Sequence, residues 1–309
     1  MLRGIGAANS KEGAPLVEPE KIAVLLDKGK TIAYTTFWQI PIIHDASTKG
    51  RRGLVSQEDD SLRIAFPEHS LPAVPLSQRL QVILGMLDTS ETLADIGTDH
   101  GYLAVAAYEQ GKAKHVVASD INEPPLHAAR MFIAKRGLSH HVHARQGDGV
   151  QCYEPYELQQ VVIAGMGGIL MRTLLADAIK ASPRCFDHCQ RMVLQPMNHE
   201  MALRSWLCSS GWPILDECLM HDKGKLYQVI VTKPGDQPYE LSWEQLFCGP
   251  VNVVKATPAV EDFVQRELRR RKEVLPRVLS HAGNEDRVKE LENEISMLHR
   301  LALSLAQRN

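Results

Sequence analysis

Acidic side chains recur along the middle of this chain wherever an apolar run gives way to glycine. Asp95 sits in LADIG (Leu93–Gly97), and Asp99 follows two residues beyond that glycine. Asp120 closes HVVASD, with Ile121 beside it, and Asp148 stands between glycines in Gln146-Gly147-Asp148-Gly149. A fourth apolar run ends in Ala164-Gly165-Met166-Gly167-Gly168. In an open parallel sheet, ligands bind beyond the carboxyl ends of the strands, where strand order reverses, so acids at successive tips face one crevice. The dinucleotide fingerprint G-x-G-x-x-G is not met. GTDHG lacks two of its glycines and sets an acid where a pyrophosphate would be repelled. The pattern calls for a cationic or zwitterionic ligand.

S-adenosyl-L-methionine has that chemistry: an ammonium, a sulfonium and no phosphate. Asp120 lies about twenty residues past the first loop, where an acid can take both ribose hydroxyls. Asp148 can accept from an adenine amine. The small residues Ala164, Gly165 and Gly167 leave room for a ligand, and Met166 can pack an adenine face. One aspartate at a strand end is more often an ordinary helix cap than a ligand contact. Four successive tips in the right order are hard to obtain by capping alone, and they predict a class I methyltransferase domain.

The elements that position these residues can be traced in the periodicity. LSQRLQVILGML places Leu76, Leu80, Ile83, Leu84 and Leu87 on one helical face. Strands and helices then alternate: LADIG, a helix from His100, HVVASD, a helix from Glu123, HVHARQGDG, QVVIAGMGG, a helix from Ile169, RMVLQP and a helix from Glu200. The alternation predicts an α/β fold, a Rossmann-like doubly wound sheet covered on both faces. Two late strands, Pro213–Leu219 and Lys225–Thr232, flank His221-Asp222-Lys223-Gly224 and predict an antiparallel hairpin at one edge. In the tail, Val288, Leu291, Ile295, Leu298, Ala302 and Leu305 form a heptad seam. Val260, Val264, Leu268, Leu275 and Leu279 line one side of an earlier helix that Pro276 should kink or shorten. With Ser280–Asp286 as the turn, this predicts a C-terminal helical-hairpin, coiled-coil subdomain. The expected division is 1–75, a poorly ordered extension holding one strand at Thr31–Trp38; 76–250, the methyltransferase domain; and 251–309, the hairpin.

The chain has 309 residues, is 44% hydrophobic and carries a net charge of −2, so any basic surface for nucleic acid must be local. The six cysteines are scattered and read as reduced thiols in a cytoplasm. No apolar run is long enough to span a bilayer, and the N-terminus has no apolar core of a secretory signal.

Leu76-Ser77-Gln78-Arg79-Leu80, ADIGTDHGYL, GDGV, IAGMGG (Ile163–Gly168), LQPMN (Leu194–Asn198) and Phe247-Cys248-Gly249-Pro250, in this order, closely resemble the bacterial tRNA (adenine(22)-N1)-methyltransferase family, often called TrmK. The family's tip usually reads GSDHAYLP where this chain has GTDHGYLA, and the N-terminal extension has no counterpart in the family pattern. The resemblance implies transfer of a methyl group from S-adenosyl-L-methionine to N1 of an adenine in the D-loop region of tRNA, with the hairpin helping to hold the tRNA. It implies cofactor contacts at Arg79, Asp95, Gly97, Asp120, Asp148, Gly149 and the Gly165-Met166-Gly167-Gly168 loop, with Asp99 facing the target base. Ile121 and Ala164, beside these positions, are expected to contact the cofactor as well, and His100 is expected on the cofactor side rather than as a proton carrier.

The chemistry is consistent with that target. Enzymes that methylate exocyclic amines commonly carry [ND]-P-P-[FY] after the fourth strand, and this chain has Gly165-Met166-Gly167-Gly168 there. Cytosine-C5 chemistry needs a cysteine nucleophile, usually in a Pro-Cys pair, and the chain has no Pro-Cys dipeptide. Adenine N1 has an in-plane lone pair, so positioning is the main requirement, and its place on the Watson–Crick edge means the base must be unpaired or flipped out. Asp99 can accept from the adenine N6 amine and favour the cationic product, with Asn198 the next candidate. Arg269-Arg270-Arg271-Lys272 is the densest basic run, either a solvated helix face or a set of RNA phosphate contacts. Cys185, His188 and Cys189 lack a fourth ligand, so no metal is expected. The hairpin satisfies its own seam as well as a dimer would, and a monomer is expected. A small-molecule or protein methyltransferase on the same fold, or a non-enzymatic RNA-binding module, remain the alternatives.

Overall fold

The computed structural model describes residues 72–280 and 284–307, together with three strands nearer the N-terminus. The chain divides into two compact units, Met1–Glu68 and His69–Asn309. In the first, β1 (Ala23–Asp27), β2 (Lys30–Thr35) and β3 (Trp38–His44) form an antiparallel sheet in that order. The strand expected at Thr31–Trp38 is therefore two strands, with β2 ending at Thr35 and β3 beginning at Trp38.

The second unit opens with α1 (Gln78–Gly85), capped by the Ser77 hydroxyl, which accepts from the Leu80 N–H at 3.3 Å. Then follow β4 (Ser90–Ile96), α2 (Tyr102–Glu109), β5 (Ala113–Asp120), α3 (Glu123–Lys135), β6 (Val142–Gln146), β7 (Gln160–Met166), α4 (Gly168–Ala181), β8 (Arg191–Pro196) and α5 (Glu200–Ser209). The hairpin strands are β9 (Ile214–Asp222) and β10 (Lys225–Thr232). The seven strands lie in the order β6-β5-β4-β7-β8-β10-β9. Strands β4 to β8 are parallel to one another, and β10 is antiparallel to both β8 and β9. Strand order reverses between β4 and β7, which is where a doubly wound sheet opens a crevice at its carboxyl edge.

Side chains alternate across β4, and this alternation decides which way the site residues face. Ala94 and Ile96 enter the core shared with Met171, Leu175, Leu203 and Trp212, under α4 and α5. Leu93 enters the opposite core with Ile83, Leu84, Leu103 and Val116, under α1 and α2. Asp95 shares the face of Leu93 and so opens toward α1 and α2.

A third core joins the sheet's far edge to the tail. After α6 (Trp243–Cys248) and α7 (Pro250–Lys255), the long helices α8 (Pro258–Leu279) and α9 (Glu285–Ala306) pair as a hairpin. Leu219 of β9 and Phe247 pack with Val260, Val264, Leu268, Leu298, Leu301 and Leu305. Two expectations for the tail need correction. Helix α8 runs through Pro276 to Leu279, and Leu279, assigned to the apolar side, is 58% exposed. Residues 281–283 of the expected turn lie outside the described residues. The joint itself is pinned by a buried ion pair. Arg204 Nε donates to Glu217 Oε1 at 2.7 Å and Arg204 Nη2 to Gln228 Oε1 at 2.6 Å, while Glu217 Oε2 accepts from the Val251 N–H at 2.9 Å. Gly249, at φ 98°, passes so close that a Cβ there would lie 2.2 Å from Glu217 Oε2. Only glycine fits this turn.

Candidate active site

Two compartments open at the β4/β7 switch point and meet at Gly97. The first, about 110 Å³, is lined by Arg79, Asp95, Thr98, Asp99, His100, Tyr102 and Ala164. The second, about 350 Å³, is lined by Asp120, Ile121, Asn122, Asp148, Gly149, Met166, Leu170 and Leu174. Gly97 borders both, in the left-handed region at φ 78°, and the N–H groups of Gly97 and Thr98 both donate to the Ser119 carbonyl at 2.8 Å. A Cβ at position 97 would lie 2.2 Å from the Met166 methyl and push that side chain from its place. Glycine here suits the left-handed backbone and leaves Met166 in place against the second compartment.

The first compartment holds two opposite charges that do not neutralise each other. Asp95 is 4% exposed, and burial pushes its carboxyl up to about 6, against a hydrogen bond from Thr98 that lowers it. Arg79 shares the compartment, but its guanidinium donates to Gln195 Oε1 at 2.5 Å and lies 5.7 Å from the Tyr227 ring centroid. Among the described residues, neither side chain has an oppositely charged partner. A buried charge ordinarily has one, so an ammonium would supply the partner that Asp95 lacks, and the half-buried Arg79 could take a carboxylate.

In the second compartment Asp120 ends β5 and accepts through Oδ1 from the N–H of Asn122 at 2.8 Å and from its amide at 3.1 Å. This leaves Oδ2 without a partner among the described residues. Asp148 precedes a short 3-10 turn (Gly149–Cys152) without capping it. Carboxylates and apolar walls together suit a nucleoside with its hydroxyls and amine.

Asp99 and His100 stand at the mouth of the first compartment, with Asp99 Oδ1 3.4 Å from His100 Nε2 and the two side chains 80% and 47% exposed. The helix expected from His100 starts at Tyr102, its N-cap is Gly101, and no side chain caps it. Asp99 is therefore not a helix cap.

Asn198, Gly165 and Gly167 line neither compartment. Gly165 faces the Arg79 guanidinium, and a Cβ on Gly167 would lie 3.0 Å from Asn198 Oδ1. The Asn198 carbonyl accepts from the Gly168 N–H at 2.9 Å, and Asn198 Oδ1 lies 2.7 Å from His199 Nδ1. These residues lie at the carboxyl ends of β7 and β8, on the edge of the sheet that bears both compartments. Of the basic run, Arg269, Arg270 and Lys272 are exposed on α8, with Arg270 3.6 Å from Glu267 Oε2. Arg271 departs from the expected RNA face: it is ion-paired to Glu267 and Glu294 and lies 5.1 Å from the Phe247 ring centroid. Cys185 and Cys189 pack in the main core, and burial pushes the Cys189 thiol up to about 12.

Sequence reasoning missed Thr98, Gln195, Asn122, Leu170 and Leu174. Gln195 stands in the quoted LQPMN motif, but its bond to Arg79 joins residues 116 apart, and no local pattern announces such a partner.

Residues 93–300 match the family model described as tRNA (adenine(22)-N(1))-methyltransferase, TrmK. The chain belongs to this family. It is 35% identical over 162 residues to the tRNA (adenine(22)-N(1))-methyltransferase of Bacillus subtilis, an alignment covering 52% of this chain and 66% of that relative. The crystal structure of the B. subtilis m1A22 tRNA methyltransferase TrmK superposes with a TM-score of 0.66 at 29% identity, covering 74% of this chain and 99% of that one. A Streptococcus pneumoniae protein solved with S-adenosyl-L-methionine superposes with a TM-score of 0.66 at 25% identity, covering 74% of this chain and 100% of that one. The fold is the Rossmann-like sheet of class I methyltransferases with a helical hairpin appended.

Proposed function

We infer that this family member transfers a methyl group from S-adenosyl-L-methionine to N1 of adenine 22 in tRNA. The observation that carries the reading is the unneutralised pair Asp95 and Arg79, in a compartment joined through Gly97 to one lined by Asp120 and Asp148. When bound, the cofactor supplies an electrophilic methyl group. Asp95 then pairs the ligand ammonium and Arg79 its carboxylate, with Gln195 holding the guanidinium toward the compartment. Asp120 accepts from the ribose hydroxyls through the oxygen that Asn122 leaves unused. Asp148 accepts from the adenine amine of the cofactor, while Met166, Leu170 and Leu174 cover the ring and exclude water.

The target adenine enters at the mouth of the first compartment. N1 needs no base, because its lone pair lies in the ring plane. Asp99 accepts from the N6 amine, fixes the ring and favours the positive charge that develops on it. Asn198 borders the opposite lip. The exposed Arg269, Arg270 and Lys272 contact RNA phosphates, which position the substrate without reading its sequence. Residues 76–250 thus do the chemistry and 251–309 hold RNA. No helix among the described residues is long and apolar enough to cross a membrane. The internally packed seam of α8 and α9 supports a monomer, and the unpaired thiols support a cytoplasmic setting.

The test is nucleoside mass spectrometry of unmodified tRNA after incubation with labelled cofactor. The expected product is one labelled N1-methyladenosine per tRNA, lost when adenine 22 is replaced. Label on another nucleoside, or on protein or small molecules alone, would overturn the reading.

A further inference from the structure

The carboxyl edge of the sheet carries a loop that the assigned site does not use. Because β10 is antiparallel to both β8 and β9, β9 runs in the same direction as β4 and β7. The Lys223-Gly224 turn between β9 and β10 therefore emerges on the same edge as the crevice. Three strand spacings separate β9 from β7, roughly 14 Å at about 4.8 Å each.

This turn is tied to both functional regions. Asp222 Oδ2 accepts from the backbone N–H of Arg79 at 3.3 Å, beside the first compartment. His221 Nε2 lies 3.3 Å from Asp262 Oδ2 on α8, at the base of the hairpin. Lys223 and Lys225 are exposed, and neither ammonium group forms an ion pair or hydrogen bond with a described residue.

Lys223 also holds a left-handed backbone, at φ 50°, one of three non-glycine residues to do so among those described. That conformation costs a residue with a Cβ about 1 kcal/mol or more, and glycine nothing comparable. A lysine at this position is unfavourable for the turn and makes no internal bond that would offset it. Strain of this kind gathers where function requires a particular side chain.

We propose that the Lys223–Lys225 turn binds the sugar–phosphate backbone of the substrate RNA, between the part held on the hairpin and the nucleotide presented to the crevice. The proposal rests on the tRNA reading above. Two ammonium groups without internal partners, on the edge that links hairpin to crevice, suit a chain bearing regularly spaced phosphates.

The experiment measures tRNA binding by the full chain over a series of salt concentrations, with cofactor affinity and melting temperature in parallel. The variants are Lys223→Gly, Lys225→Gln and both together, with Lys180→Gln as a charge-matched control on the last turn of α4. Lys223→Gly should keep or raise the melting temperature, because it relieves the left-handed strain, so weakened binding in it cannot be ascribed to misfolding. Each variant should bind tRNA about tenfold more weakly, the scale of one charge-assisted hydrogen bond. The slope of log affinity against log salt should fall by about 0.7–0.9 per lysine. Cofactor affinity should hold, and Lys180→Gln should behave as wild type. Wild-type affinity and slope in the double variant would overturn the proposal, as would an equal loss in Lys180→Gln. A wild-type chain that fails to bind tRNA at all would overturn the functional reading, and this proposal with it.

Discussion

Glu217 and Asp95 are both buried carboxylates on strands of one sheet, yet their surroundings differ in kind. Glu217 is fully buried against an equally buried Arg204, and the N–H of Val251 meets its second oxygen. Arg204 in turn satisfies Gln228 and the Leu246 carbonyl. Every charge at that joint is answered from within the chain, and even the Cβ of residue 249 is left out to make room. Among the described residues Asp95 has only the Thr98 hydroxyl, and it faces a cavity shared with an arginine held on a neutral amide. A joint closes its charges on itself. A binding site leaves them open for something that arrives.

The largest effect should come from opening the closed region. Glu217→Gln leaves Arg204 as a buried cation without an anion, which typically costs about 3–5 kcal/mol. Urea denaturation should show that loss, and a wild-type midpoint would mean the joint is not held by this pair. The next largest effect belongs to the carboxylate at the crevice mouth. Asp99→Asn keeps the shape and a carbonyl acceptor, so fold and cofactor affinity should hold while single-turnover methyl transfer slows by about 100-fold. Asp99→Ala should be slower still, and native rates in both would move the base-orienting role to Asn198.

The open region should answer the same chemical change with the opposite sign. Asp95→Asn removes a buried, unpaired charge, so the cofactor-free protein should gain about 1–2 kcal/mol at neutral pH. Cofactor affinity should fall about tenfold or more. A destabilised Asp95→Asn would erase the contrast with Glu217. The smallest effect is in pH. Asp95 titrates near 6 in the folded chain against an ordinary 3.8, so its contribution to the stability of the cofactor-free protein is fully present below about 3.8 and is lost as pH rises through about 6. An ammonium ligand selects the carboxylate, so affinity should weaken as pH falls below about 6, approaching tenfold per unit. Calorimetry should find that dependence in the wild type and a flat profile in Asp95→Asn.

What could be read from the sequence was whatever repeats locally. The apolar runs ending at Asp95, Asp120 and Met166 marked strand tips, and the alternation of strands and helices implied a doubly wound sheet. Relationships across the fold were not legible. The heptad seam named Leu291, Leu298 and Leu305 but not the buried Leu301, because the hairpin also packs against β9 and α6. Arg271 reads like its neighbours in RRRK, but its position on the helix turns it toward Glu294 and Phe247. Leu279 follows the apolar spacing of α8 and still emerges into solvent, because periodicity says which face a residue occupies and not whether anything lies opposite. Asp99 sits where a cap belongs, and the left-handed Gly101 begins the helix two residues later instead.

The uneven packing of the hairpin gives it a gradient of stiffness. Val260, Val264 and Leu268 on α8, with Leu298, Leu301 and Leu305 on α9, are clamped at the base, while Leu279 at the far end stands in solvent. Amide protons near the base should exchange only when the whole unit opens, and those around Leu279, beyond the level of the buried Leu291, by local fraying. An arm of this build keeps a firm hinge against the catalytic sheet and a yielding tip. On the RNA-holding role proposed above, the tip would follow differences in the curvature of that RNA without carrying them into the crevice.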